Sequence, residues 1–179
     1  MRPKSIILGL CGSSGSGKTQ TCLKLVKELR AEGIECGGFV SPAVFEGALK
    51  TAIRVQWLES GQERVLLTPV TEESQQTVGR WQIQPDAFEW INRNLANLKE
   101  CQAFFCDEIG PLEVLQGKGW INALEILDER RYALNVVTFR PTLRDFFNQR
   151  YPDMTIYDLE STDNYEKIVR YVKKIFGIA

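Results

Sequence analysis

Gly12, Ser13, Ser14, Gly15, Ser16, Gly17, Lys18 and Thr19 stand in the spacing G-x-x-x-x-G-K-[ST], and no other stretch constrains the chain as much. Glycine allows the positive φ of a tight turn and brings backbone N–H groups close to an anion with no Cβ in the way. A loop of this kind wraps a phosphate chain, with Lys18 in reach of the β- and γ-phosphates and the Thr19 hydroxyl able to ligate Mg²⁺. The flanks fit that role. Residues 5–11, Ser-Ile-Ile-Leu-Gly-Leu-Cys, form a short apolar run of the buried parallel-strand type. After Thr19, the residues Cys22, Leu23, Val26 and Leu29 recur at helical spacing until Gly33. A strand, a glycine loop and a helix whose N-terminus faces the anion predict an α/β chain.

The rest of the sequence continues that alternation. Residues 36–45 read as a second strand with Gly37 and Gly38 at its entry and Pro42 interrupting it. Ile53, Val55 and Trp57 then alternate, Ser60-Gly61 turns the chain, and residues 64–67 return, which predicts an inserted antiparallel hairpin over about residues 50–68. Residues 71–78 are polar and aperiodic and read as a loop. Pro85 opens a helix with Phe88, Ile91, Leu95 and Leu98 as its apolar stripe, and Trp90 reads as packing at its edge. Helices are also expected over residues 119–127, from Pro141 to Phe147, and over residues 165–176; strands are expected over 132–139 and 154–159. The sum is one domain with a mostly parallel sheet covered by helices on both faces.

Residues 103–108, Ala-Phe-Phe-Cys-Asp-Glu, are an apolar strand ending in two carboxylates. Adjacent like charges repel and resist desolvation, so such an ending does little for stability. After a phosphate-binding loop, an acid at this point holds the Mg²⁺ shell, which assigns Asp107 with Thr19 to the metal. The plainer reading is an acid that caps the next turn.

Composition removes several chemistries. The chain has no histidine, which excludes histidine bases, histidine-ligated zinc and Ser-His-Asp triads. A formal net charge of −1 gives no footprint for nucleic acid. The five cysteines form no C-x-x-C pair and read as buried reduced thiols. No segment approaches a membrane span, so a soluble, cytoplasmic protein is expected.

Residues Asp107-Glu108-Ile109-Gly110-Pro111-Leu112-Glu113, taken with the glycine loop, resemble the D-E-I-G-x-x-E segment of the small THEP-type nucleoside-triphosphatase family. Gly38-Phe39-Val40-Ser41-Pro42, Val78-Gly79-Arg80-Trp81, Asp86-Ala87-Phe88-Glu89 and Phe139-Arg140-Pro141 are similar to further family segments in the same order. Gln20 and Trp81 depart from the threonine and tyrosine usual there. The resemblance implies a single P-loop NTPase domain of the RecA-related branch, with a strand added between the loop strand and the Asp107 strand. It also implies Mg²⁺-dependent hydrolysis of ATP, GTP and other nucleoside triphosphates to diphosphate and phosphate, with broad base tolerance. On that reading Lys18 neutralises β/γ charge, Asp107 holds Mg²⁺ through its water shell and Glu108 is the general base. Arg80 and Arg140 are the candidates for a further cation, and Thr138 is an alternative γ-phosphate sensor.

Two other readings stay open at this level. A small-molecule kinase begins the same way, but its arginine-rich lid has no counterpart in residues 71–78. A nucleotide-dependent adaptor with slow turnover suits the loop as well, though it suits the Asp107-Glu108-Ile109-Gly110 segment less. No protein partner is readable.

Overall fold

The computed structural model describes residues 5–72, 77–160 and 164–178. The first apolar run becomes strand β1 (Ile6–Cys11), and all but its first residue are buried. Burial on both faces is what an interior parallel strand requires. Its parallel neighbours are β9 (Leu134–Phe139) and β10 (Thr155–Asp158). Strand β9 also pairs in parallel with β8 (Ala103–Ile109), and β8 with β2 (Cys36–Val40). The order β10-β1-β9-β8-β2 therefore places β9 between the loop strand and the Asp107 strand, as the resemblance implied.

Helices cover both faces. On one, α1 (Lys18–Ala31) buries Cys22, Leu25, Val26 and Leu29, and α6 (Asn164–Phe176) buries Ile168 and Val172, against Leu8, Leu10, Phe105 and Val136. On the other, α2 (Pro85–Ala96), α4 (Ile121–Glu129) and α5 (Arg144–Arg150) pack Ile91, Leu127 and Phe147 against Ile7, Phe104, Val137 and Phe139. Each fully buried side chain of this size stabilises by about 1.5–3 kcal/mol relative to exposure, so the two apolar layers hold the sheet between them. Trp90 is 8% exposed and belongs to the second layer, as packing.

The expected second strand divides. Strand β2 ends at Val40, and β3 (Ala43–Glu46) begins a separate antiparallel pairing with β4 (Leu49–Trp57). Pro42 has no N–H to continue a ladder, which accounts for the break. The hairpin is larger than expected. Strand β4 pairs antiparallel with β2 and with β5 (Glu63–Pro69), and β5 pairs with β7 (Trp81–Ile83). Residues 77–78, read as the end of a loop, form strand β6 (Thr77–Val78) on β7, while residues 73–76 of that loop lie outside the described residues. A short helix not anticipated from periodicity, α3 (Pro111–Gln116), follows β8 directly. At six residues it is too short to display a helical repeat.

Candidate active site

The glycine loop joins β1 to α1 at the carboxyl edge of the parallel strands, where α/β sheets bind ligands. Gly15 and Gly17 take φ of 86° and 90°, conformations that side chains oppose. A Cβ on Gly12 would lie 2.2 Å from Ser16 Oγ and 2.9 Å from its Cβ, so any side chain there would have to displace Ser16 within the loop. Ser13, Ser14 and Gly15 are exposed at the rim, and Gly17 caps α1. Lys18 is 5% exposed, and its Nζ donates to the carbonyls of Gly12 at 2.9 Å and Ser13 at 2.8 Å. The ammonium thus arches back over its own loop.

Asp107 is fully buried at the end of β8. Its Oδ2 accepts from the Ser41 amide at 2.8 Å, its Oδ1 accepts from the Thr138 hydroxyl at 2.7 Å, and the Thr19 hydroxyl also bonds to it. Burial pushes its carboxyl above the usual range, and these three donors pull in the opposite direction. Loop, β2, β8 and β9 therefore meet on one carboxylate.

Glu108 follows in a left-handed conformation with φ of 69°. The β8–β9 register shifts between Cys106 and Ile109, so the two acids sit on a bulge. A bulge re-aims a side chain, and a left-handed non-glycine residue costs about 1–3 kcal/mol unless its surroundings hold it. They do so here. The Glu108 amide donates to Thr138 Oγ1 at 2.7 Å, and its Oε1 accepts from Arg140 Nε at 3.1 Å. Side chains at this pair are 38% and 56% exposed, so the ion pair orients Glu108 more than it stabilises the fold.

Of the predicted residues, Lys18, Thr19, Asp107, Glu108 and Arg140 converge. Arg80 is exposed on the β6–β7 turn, its guanidinium 5.3 Å from the Trp81 ring. Thr138 is fully buried and its hydroxyl is committed to Asp107 and to the Glu108 amide, which makes it a clamp on the acids rather than a free phosphate sensor.

Two further residues belong to the site. Glu113 is 6% exposed and accepts from the amides of Gly110 at 2.8 Å and Trp120 at 3.0 Å, bracing the turn just after Glu108. Gly110-Pro111-x-Glu113 is a readable helix-start signal. Lys50, from the hairpin, lies within electrostatic range of Glu108, Arg80, Arg140 and Lys18. Nothing local in the sequence distinguishes it from any hairpin lysine.

The donor set is of the kind Mg²⁺ takes. Oxygen ligands only are offered, from Thr19 and Asp107, and Ser41 Oγ is buried beside Asp107 with no hydrogen-bond partner in the protein. A hard cation of this kind is held by few protein oxygens, with water and phosphate completing its shell. The residues fit.

A glycine loop of the phosphate-binding type, a helix start and two acids at the end of β8, one strand removed from the loop strand, define a P-loop protein of the α/β class. Within that class the chain belongs to the NTPase family, whose model matches residues 7–172. A nucleoside-triphosphatase THEP1 from Ignicoccus hospitalis is 35% identical over 107 residues, 60% of this chain and 60% of that relative. The corresponding protein of Methanopyrus kandleri is 30% identical over 157 residues, 85% of this chain and 84% of its own. The solution structure of a human cancer-related nucleoside triphosphatase superposes with a TM-score of 0.73 at 20% identity, covering 96% of this chain and 97% of that one. At that identity the superposition speaks for the fold.

Proposed function

We propose that this protein is an Mg²⁺-dependent nucleoside triphosphatase that converts ATP, GTP and other nucleoside triphosphates to diphosphate and phosphate. The observation that carries the reading is the acid pair on the β8 bulge, with Asp107 bonded to the loop's Thr19 and Glu108 aimed by Arg140 and Thr138. The loop amides of residues 13–19 hold the phosphate chain at the start of α1. Lys18, released from the Gly12 and Ser13 carbonyls, pairs with β/γ oxygens. Thr19 and Asp107 hold Mg²⁺, which when bound neutralises charge on those oxygens. Glu108 takes a proton from water as the water oxygen bonds to the γ-phosphorus; the γ-phosphorus to bridging-oxygen bond breaks, and the diphosphate leaves with that electron pair. Arg140 holds Glu108 in place, and Arg80 is the outer cation.

Broad base tolerance follows from what the site gathers. Amides, hydroxyls, cations and carboxylates of this set recognise the triphosphate, common to all nucleotides. The free cysteines fit a reducing compartment such as the cytoplasm, and no described helix is long and apolar enough to cross a membrane.

The test is phosphate release from ATP, GTP, CTP and UTP with and without Mg²⁺, for wild type, Lys18→Ala and Glu108→Gln, with nucleotide binding measured in parallel. Glu108→Gln is expected to bind nucleotide and lose turnover by about 100-fold or more on every base. Wild-type phosphate release no higher than that of Lys18→Ala sinks the reading.

A further inference from the structure

Ser41 stands one residue past the end of β2, and the backbone around it is fixed on both sides. Its amide donates to Asp107 Oδ2 at 2.8 Å, while the carbonyl of the following Pro42 accepts from the Arg54 amide of β4 at 2.9 Å. A residue before proline is also held to extended backbone. The side chain is another matter. Ser41 is 8% exposed, and its Oγ has no hydrogen-bond partner among the described residues. Covalent geometry keeps a serine Oγ within about 4 Å of its own amide nitrogen, so this unmet oxygen borders the carboxylate that the amide holds.

A buried hydroxyl with no partner costs stability, because it gives up water and gains nothing in return. Other buried atoms in that state differ from it. Ser16 Oγ belongs to the glycine loop itself, and Asn92 Oδ1 and Asn135 Oδ1 belong to amides whose nitrogens are bonded, to the Gly119 carbonyl at 2.7 Å and the Tyr132 carbonyl at 3.1 Å. Ser41 leaves its whole polar group unmet. Asp107, by contrast, is nearly full: it accepts from the Ser41 amide, the Thr138 hydroxyl and the Thr19 hydroxyl, three of the roughly four lone-pair sites of a carboxylate. A water bound to Mg²⁺ turns its lone pair to the cation and has two protons to donate. Asp107 has room for about one of them, and the other needs a neighbouring acceptor.

We infer that Ser41 is a positioning residue of the divalent-cation site, whose Oγ accepts a hydrogen bond from a water bound to Mg²⁺ beside Asp107. Mg²⁺ keeps several of its waters when it binds protein, and the groups that receive those waters fix the ion as firmly as its direct ligands do. The hydroxyl that is unfavourable in the protein alone is thereby satisfied once the metal and nucleotide are bound. The inference rests on the proposed Mg²⁺-dependent triphosphate site, and it adds to Thr19 and Asp107 a third oxygen, brought from β2 rather than from the loop or β8.

The experiment compares wild type, Ser41→Ala and Ser41→Thr by calorimetric titration with a non-hydrolysable ATP analogue, once in excess Mg²⁺ and once in EDTA, alongside steady-state phosphate release. The ratio of the two dissociation constants reads what the metal contributes to binding. Ser41→Ala is expected to lower that ratio by about three- to tenfold, the worth of one hydrogen bond, while its affinity in EDTA stays within about twofold. Ser41→Thr keeps the hydroxyl and is expected to restore most of the ratio. Thermal melting without nucleotide supplies a second measurement: Ser41→Ala is expected to melt at or above wild type, since it removes an unmet buried group. An unchanged ratio in Ser41→Ala, an equal loss of affinity with and without metal, or a lower melting temperature in the nucleotide-free protein overturns the inference. A wild type that binds the analogue more tightly with Mg²⁺ but releases no phosphate removes the proposed hydrolysis and leaves the ratio to decide Ser41; a wild type indifferent to Mg²⁺ overturns both.

Discussion

The Thr138 hydroxyl donates to Asp107 across 2.7 Å from the neighbouring strand, and the same oxygen accepts the amide of Glu108. One buried hydroxyl therefore serves the acid proposed for the metal and the acid proposed for water. Replacing it with the isosteric Val strands a buried carboxylate oxygen and a backbone N–H together. Thr138→Val is expected to lose about 2–6 kcal/mol of stability by urea unfolding, the sum of two unmet partners at about 1–3 kcal/mol each. It is also expected to lower kcat more than it raises KM, because Glu108 loses the clamp on its left-handed backbone.

Gly38 has φ of 95°, and a Cβ there would sit 2.0 Å from the Phe105 carbonyl oxygen on the paired strand. That neighbour is backbone and cannot swing aside. Gly38→Ala is expected to destabilise by more than about 3 kcal/mol or to fail to fold. Gly47, with φ of 61° and open space around it, supplies the comparison: Gly47→Ala is expected to cost only about 1–2 kcal/mol. Soluble yield and urea midpoints of the pair check this.

The Glu160 carboxylate accepts the Ser13 amide at 2.7 Å, directly on the glycine loop. Hydrogen bonds from the Ser13 hydroxyl and amide hold its carboxyl below the usual range, so it is an anion at neutral pH. An anion there competes with phosphate for the loop. Glu160→Gln is expected to tighten ADP binding by about two- to fivefold, the scale of one exposed charge interaction. The gain is expected to shrink between about 0.05 M and about 0.5 M KCl, as screening requires. Tighter binding by wild type than by the variant at low salt contradicts the prediction.

Away from the site, Asp128 on α4 receives Arg150 through both oxygens, at 3.1 and 2.5 Å, and the Tyr151 hydroxyl at 2.8 Å. Burial alone would raise its carboxyl, but the hydrogen bonds from Arg150 and Tyr151 outweigh it and hold the carboxyl below the usual range. A depressed folded-state value gives stability that is present above the unfolded value and lost as pH falls through the folded one. With side chains about 40% exposed, at 42% and 40%, screening limits the contribution. Wild type is expected to exceed Asp128→Asn by up to about 1 kcal/mol above about pH 5, with the gap closing below about pH 4, in urea unfolding across that range.

What the sequence could reveal followed sequence distance. Lys18, Thr19, Asp107 and Glu108 sit in contiguous motifs whose chemistry depends on local backbone form, and the alternation of apolar runs placed β1, β8, β9 and the main helices. Arg140 was legible as a candidate because it directly follows β9, yet its partner 32 positions away was not. The extension of the sheet beyond the hairpin, from β5 to β7, was not legible because it is a matter of long-range register. The left-handed Glu108 was equally hidden, since the bulge arises from the β8–β9 pairing and no glycine announces it. Strand β6 and helix α3 are too short, at two and six residues, for periodicity to register.

The break at Pro42 leaves Ser41 at the root of the β3–β4 hairpin with its amide on Asp107. The hairpin is thereby moored to the carboxylate proposed to hold the metal, so the far arm of the sheet and the metal position share one anchoring amide.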